Sequence, residues 1–296
     1  MIFASIDIGS NAVRLLFANA FDKDGKTHVE KATLIRIPIR LGVDVYKSNS
    51  ISKKRAANLI KTLKAFKLLI DVYKPVDFAA CATAAMREAG NGTEILEQIK
   101  KKTGIDVRIV DGLEEAGIIR STNVFDIPES KTLAMYVDLG GGSTEISVIN
   151  KNDRVLDARS FKIGTIRLLN NKVKDRQWEE MKAWLKQFEE HFGKIHIIGS
   201  GGNINKIAKI YGNYRDNTIT YQQLEHAYQH LKSFSLRERI EKLGLRPDRA
   251  DVIVPAANVF LFITRIIRVE TILVPKIGLA DGLIHQLYEK HKKKRE

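Results

Sequence analysis

Cysteine is almost missing from this chain. One thiol, Cys81, stands among 296 residues, so no internal disulfide can form. No zinc-type Cys/His spacing is present either, and a reducing, cytoplasmic setting is the expectation. Aromatic residues make up only 7%. That is few for the stacking platforms of a single-strand nucleic-acid binder, and no recognised nucleic-acid-binding motif occurs, so no specific nucleic-acid partner is expected. No uninterrupted apolar run approaches the ~20 residues of a membrane span, so no membrane partner is expected. The opening MIFASIDIGS lacks a basic n-region, which argues against a signal peptide.

What is present is globular: 44% hydrophobic and 28% charged residues, in a length that suits two domains better than one. The charge is lopsided. Net charge is +14 and the isoelectric point is near 9.7. A basic solvated surface satisfies that imbalance, and so does a polyanionic partner such as nucleic acid, nucleotide or polyphosphate. The tail HKKKRE at 291–296 supplies several of the charges.

Apolar periodicity gives the same order of elements twice. The first half reads as strands at 2–8, 12–19 and 28–41, a helix from about Ser52 to Lys74, and a strand at 76–82. A helix at 93–102 capped by Thr93, a strand at 105–110 and a helix at 113–124 follow. The second half reads as strands near 132–138, 144–149 and 154–161, a helix at 176–191, a strand at 194–198 and a helix at 203–210. Helical segments at 221–232, 235–243 and 249–267, a strand at 270–274 and a helix at 279–291 complete it. The boundary falls near 125–130 (FDIPES), giving domains 1–125 and 126–296. Two matching α/β halves imply a duplication, with a pseudo-twofold that would face the two opening hairpins across an interdomain cleft.

Those hairpins carry the chemistry. Residues 3–16 read FASIDIGSNAVRLL and residues 134–149 read AMYVDLGGGSTEISVI. In each, an apolar strand ends in an aspartate, Asp7 or Asp138, and a glycine turn follows. Glycine lets backbone N–H groups point inward and removes side chains that would block a phosphate. Ser10, Asn11, Ser143 and Thr144 add donors. A carboxylate beside phosphate is repulsive unless a Mg²⁺ stands between them. Glu145 reads either as a further metal ligand or as a solvated strand residue. A third glycine turn, Gly199-Ser200-Gly201-Gly202-Asn203, leads into a helix whose free N–H groups suit an anion or an ordinary cap. Arg87, in CATAAMREAGN, has the guanidinium geometry for phosphate oxygens. Glu114 and Glu115, in DGLEEAG, fit a helix first turn electrostatically and also fit a general base. Cys81 reads as core rather than nucleophile.

The set DIGSNAVRLL, ATAAMREAGN, DGLEEAG, VDLGGGSTE, GSGGN and RADVIVPA resembles the exopolyphosphatase / guanosine pentaphosphate phosphatase family of the actin-like ATPase superfamily. The resemblance covers essentially the whole chain, in order. It implies an α/β fold of two duplicated ribonuclease-H-like (actin-like ATPase) domains with an interdomain cleft. It implies a phosphohydrolase dependent on Mg²⁺ (or Mn²⁺) that removes a terminal phosphate from polyphosphate or guanosine pentaphosphate, and allows a homodimer. By motif, Glu115 matches the catalytic base and Arg87 the phosphate-binding arginine. Asp138 and Glu145 match the metal-linked acids; Asp7 falls with the opposing loop, and its own place before a glycine turn makes it a metal candidate as well. Gly140, Gly141, Gly142 and Ser143 match the phosphate loop, and Gly9, Ser10, Asn11 and Arg14 the opposing one. Gly201, Gly202 and Asn203 complete the substrate-binding set.

Three positions depart from the family pattern: Ala12 and Asn203 stand where Ser and Thr are usual, and Asp281 replaces Glu. The chain also ends without the helical domain of the long members, which suggests short polyphosphate or a nucleotide as substrate. Two rivals follow from the same residues: an ATP-dependent small-molecule kinase, and a non-catalytic sensor of guanosine penta- or tetraphosphate.

Overall fold

A computed structural model describes residues 1–122, 132–150, 154–191, 194–213 and 215–294. The expected boundary segment 125–130 lies outside the described residues. The chain divides into two compact units, Met1–Thr122 with Ile277–Glu296, and Asn123–Lys276.

In the first unit, β1 (Ile2–Ile8), β2 (Val13–Lys23) and β3 (Lys26–Ile37) form an antiparallel set. β1 is buried from Phe3 to Ile8, as an apolar strand covered on both faces must be. β3 stops at Ile37 rather than running to 41, because Pro38 has no N–H to continue the ladder. Arg40 then takes a left-handed conformation and starts α1 (Leu41–Ser48), which periodicity did not predict. α2 (Lys53–Tyr73) buries the expected stripe of Leu59, Leu63, Phe66 and Ile70, and the Ser52 hydroxyl caps it by accepting from the Arg55 N–H. After β4 (Phe78–Ala82) come the short α3 (Ala84–Glu88) and then α4 (Gly92–Thr103). Asn91, not Thr93, occupies the N-cap of α4; the Asn91 amide instead bridges to the backbone of Ile51. β5 (Arg108–Ile109) is shorter than expected, and α5 (Gly112–Arg120) follows it. The sheet order is β3-β2-β1-β4-β5, with β4 and β5 parallel to β1.

The second unit repeats this plan. β6 (Leu133–Leu139), β7 (Thr144–Ile149) and β8 (Val155–Phe161) are antiparallel. Two helices, α6 (Thr165–Leu169) and α7 (Asp175–Lys186), lead to β9 (Ile195–Ser200), parallel to β6. α8 (Gly202–Tyr211), β10 (Thr218–Thr220), α9 (Tyr221–Ser233), α10 (Leu236–Glu241), α11 (Pro247–Ala250), α12 (Ile253–Ile267) and β11 (Thr271–Leu273) follow. The sheet order is β10-β11-β9-β6-β7-β8. β11 takes the place that β5 holds in the first sheet, and β10 is an added edge strand.

Residues 247–267 are long and apolar enough to cross a bilayer by length and composition alone, although Asp248, Arg249, Asp251 and Arg265 interrupt the run, in line with the expectation of no uninterrupted one. Most of that segment is buried in its own unit, where Ile253, Phe260, Ile263 and Ile267 of α12 join the sheet core.

The last helix, α13 (Leu279–Lys292), corrects the domain limits expected from sequence. It belongs to the first unit, where Ala280, Ile284, Leu287 and Tyr288 pack on Phe3, Leu16, Ala18 and Ala20. Its Leu279 and Leu283 close a second cluster with Cys81, Val110, Ile118 and Ile119. Each leucine, isoleucine or phenylalanine among them removed from water contributes about 1.5–3 kcal/mol. The Ser5 hydroxyl donates to the Ala280 carbonyl at 2.8 Å and fixes the helix against β1. An ordinary amphipathic stripe does not say which sheet it will cover, so the sequence pattern left this helix with its neighbours in the chain.

Candidate active site

In the first unit, β1 and β2 meet so that Asp7 and Arg14 are cross-strand partners, and their side chains form an ion pair. Asp7 is buried. The sequence reading put Asp7 on a metal and Arg14 on substrate; in the folded hairpin each is held by the other. The turn is closed by the Gly9 N–H donating to the Ala12 carbonyl at 3.0 Å. α1, absent from the sequence reading, buttresses it. The Gly42 and Arg40 N–H groups donate to the carbonyls of Ser10 and Asn11, and the Ser10 hydroxyl pairs with the Tyr46 phenol at 2.8 Å.

Arg87 lies near the end of α3, directly after β4, and one of its guanidinium nitrogens donates to the Val110 carbonyl at 2.6 Å. Val110 immediately precedes Asp111, whose carboxylate caps α5 by accepting from the Glu114 N–H at 2.8 Å. Arg87 therefore braces the start of the helix that carries Glu115. The two adjacent acids separate cleanly: Glu114 pairs with Arg108 at the half-exposed surface, whereas Glu115 is buried. Cys81, opposite Asp7 in the sheet register, is buried, and that burial raises its thiol pKa against the opposing pull of Arg108, with Asp7 and Glu115 adding to the rise. A thiol held protonated is a poor nucleophile, in keeping with a core residue.

In the second unit, β6 and β7 place Asp138 opposite Glu145. Glu145 is 2% exposed and accepts from the Ser160 hydroxyl at 2.7 Å. Asp138 is half-buried and accepts from the Ser200 hydroxyl, its neighbour in the β6–β9 register. The two acids thus belong to one cross-strand pair, and Glu145 is not a solvated strand residue. Like charges directly opposite each other are destabilising, and all the more so where they are desolvated. A hard dication turns that repulsion into attraction. The donors are all oxygen, which suits Mg²⁺ or Mn²⁺ and not a thiolate-seeking metal.

The glycine turn between these acids is shaped by α6. The N–H groups of Thr165 and Ile166 donate to the carbonyls of Gly140 and Gly141 at 3.1 and 2.9 Å, and Arg167 Nε donates to Gly142 at 2.8 Å. With its carbonyls turned toward α6 and the Gly140 N–H satisfied by Ser143, the turn keeps three further amides. Among the described residues, the N–H groups of Gly141, Gly142 and Ser143 have no partner. Gly164 permits the contact: a Cβ there would stand 2.3 Å from the carbonyl carbon of Gly142. Gly164 and Arg167 were missed in the sequence. The available signal was a glycine at the head of a short apolar segment, Ile163-Gly164-Thr165, too weak to stand without the turn it supports.

The third glycine turn lies against the same strand. Gly201 has φ 106° and approaches the Leu139 carbonyl so closely that a Cβ would sit 2.8 Å from it. Gly201, not Asn203, occupies the N-cap of α8, so Gly202 and Asn203 lie in the first helical turn with their N–H groups at its positive end.

Two α/β units of matching strand order, each with an acid and a glycine turn at the tip of its central strand, define an actin-like ATPase fold. The Ppx/GppA phosphatase family model matches residues 26–291, and the chain belongs to that family. It is similar to a guanosine-5'-triphosphate,3'-diphosphate pyrophosphatase of Vibrio atlanticus, 25% identical over 97% of this chain and 59% of the relative. It is also similar to exopolyphosphatase 1 of Mycobacterium leprae, 25% identical over 94% of this chain and 87% of the relative. The chain therefore spans well under two thirds of the Vibrio protein but most of the mycobacterial one. Among solved structures, an Aquifex aeolicus Ppx/GppA family member superposes with a TM-score of 0.75 at 28% identity, covering 98% of both chains. A Cytophaga hutchinsonii exopolyphosphatase, 22% identical and also covering 98% of both chains, shares the fold with a TM-score of 0.83.

Proposed function

We propose that this protein hydrolyses phosphoanhydride bonds, releasing terminal phosphate from inorganic polyphosphate or guanosine pentaphosphate in a Mg²⁺- or Mn²⁺-dependent reaction in the cytoplasm. The observation that carries the reading is the turn Gly140–Ser143, whose three unpartnered amides stand beside the Asp138–Glu145 carboxylate pair. Donors for phosphate oxygens and ligands for a dication occur together there, as phosphoryl transfer requires. The names carried by the Vibrio and Mycobacterium relatives support the two substrates.

In this mechanism Asp138 and Glu145 would hold the cation, which when bound would neutralise charge on the phosphate oxygens. The amides of Gly141, Gly142 and Ser143, with those of Gly202 and Asn203, donate to phosphate. Arg87 adds its remaining guanidinium N–H groups. Glu115 takes a proton from water, the water oxygen bonds to the terminal phosphorus, and the bond to the bridging oxygen breaks. Orthophosphate and the shortened chain leave. Positioning and charge neutralisation supply most of the acceleration, so no covalent intermediate is needed.

The test is phosphate release from long polyphosphate, tripolyphosphate and guanosine pentaphosphate in parallel, before and after chelation. Release from at least one of them, lost with chelator and restored by Mg²⁺ or Mn²⁺, is expected without any acceptor added. Phosphate transfer only when ATP and a small acceptor are both supplied would make the protein a kinase. Tight binding of guanosine pentaphosphate with no release would make it a sensor.

A further inference from the structure

We propose that His226 and His230 form a site for a borderline transition-metal dication, with Zn²⁺ as the reference ion, on the α8–α9 face of the second unit. The two histidines are four residues apart on α9, which puts both side chains on one face, one turn from each other. Their rings are nearly parallel, 14° between planes, with centroids 5.8 Å apart. Two imidazoles at this helical spacing are the arrangement in which one face of a helix grips zinc, a two-histidine spacing not counted as a zinc pattern in the sequence reading.

Neighbouring side chains fix the pair. The Tyr211 phenol, at the end of α8, meets the His230 Nδ1 at 2.8 Å, and its ring stands edge-on to both imidazoles, at 6.0 Å from His226 and 5.8 Å from His230. The Phe234 ring stands edge-on to His230 with centroids 4.9 Å apart. With Nδ1–H donating to the phenol oxygen, the His230 Nε2 lone pair is directed outward, in the tautomer a ligand needs. Metal-binding histidines characteristically give their second ring nitrogen to such an outer partner. Among the described residues, neither the His230 Nε2 nor either nitrogen of His226 has a hydrogen-bond partner. His226 is exposed and His230 half-buried, so an ion can enter and water can complete its coordination.

Donor chemistry separates this site from the carboxylate pair. Imidazole nitrogen favours Zn²⁺, Cu²⁺ and Ni²⁺, whereas the all-oxygen set around Asp138 and Glu145 suits Mg²⁺. Two protein ligands give modest affinity, and an ion there would clip one turn of α9 to its neighbour.

The experiment is a calorimetric titration of the untagged full-length protein with Zn²⁺ in saturating Mg²⁺, which occupies the oxygen-lined site. Wild type is compared with His226→Gln, His230→Gln, the double variant and Tyr211→Phe, each checked for native circular dichroism. Wild type is expected to bind one equivalent that the double variant lacks. Tyr211→Phe, which removes only the outer partner, should weaken binding by roughly 10-fold. Zn²⁺ should also raise the melting temperature of wild type and not of the double variant. No zinc binding by wild type, or equal affinity and stoichiometry in the double variant, overturns the proposal.

Discussion

Glu115 and its neighbour Glu114 show how one position along a helix separates two roles. Glu114 turns outward to Arg108, while Glu115 is buried in the first turn of a helix whose N-terminus is capped by Asp111 and braced by Arg87. If Glu115 is the water-activating base, Glu115→Gln keeps the shape and removes the proton acceptor. Turnover should fall at least ~10²-fold with substrate affinity largely retained, as read by phosphate release and by equilibrium binding. Near-wild-type turnover removes Glu115 from that role. If Arg87 binds phosphate, Arg87→Lys is not conservative, because an ammonium cannot hold the Val110 carbonyl and offer phosphate oxygens the same planar donor geometry. Its phosphate-release kcat should fall about 10-fold or more, and wild-type kcat would show that charge alone suffices.

The support of the glycine turn by α6 is a property of elements rather than of single residues. Replacing Gly164 with alanine drives a methyl carbon to 2.3 Å from the Gly142 carbonyl carbon and 2.5 Å from the Gly141 oxygen, both main-chain atoms with no flexible end to yield. Thermal melts should show a loss of about 1–3 kcal/mol, and phosphate release should fall with it. Gly117→Ala in α5 is the control, since nothing lies within 4 Å of the added carbon and helix propensity favours alanine by about 1 kcal/mol.

α13 offers a pH test. Burial lowers the His285 pKa below its ordinary 6.5, with Glu289 opposing the shift. The folded protein therefore resists protonation there, the unfolded chain takes up the proton first, and stability falls as pH drops through 6.5. The urea midpoint of wild type should drop more between about pH 7.5 and 5.5 than that of His285→Gln. Equal slopes would show that His285 does not contribute. At this scale the long strands were legible, whereas the three-residue edge strand β10, the short extent of β5 and the short helices were not. Buried central strands such as β1 and β6 must be apolar throughout, and their ends are marked by Asp and Gly. α1, α3 and α6 are too short for periodicity to register, and they exist because turns and carbonyls elsewhere in the fold complete them. Individual roles within the site were harder to read: nothing in the sequence says that Arg14 spends its charge on Asp7.

For the molecule as a whole, the net charge of +14 would steer the polyanionic substrate proposed above. Long-range attraction raises association rates and is screened by salt. The kcat/KM for long polyphosphate should therefore decline several-fold between about 50 and 500 mM salt, and more steeply than for tripolyphosphate. A rate indifferent to ionic strength would assign the excess lysines to solvation alone. Duplication was visible in the repeated strand order, and the sheets β3-β2-β1-β4-β5 and β8-β7-β6-β9-β11 match position for position. The unit limits were not, because α13 crosses back to a sheet laid down at the other end of the chain.

That return has a consequence for biosynthesis. The second unit is one uninterrupted stretch and holds every piece of itself once the ribosome has passed Lys276, but the first must wait, its sheet face bare, for a helix made after the whole of the second. The nascent protein is thus set to mature in reverse, downstream half before upstream half, and a transcript cut short after Lys276 would strand the earlier-made unit unfinished rather than the later one.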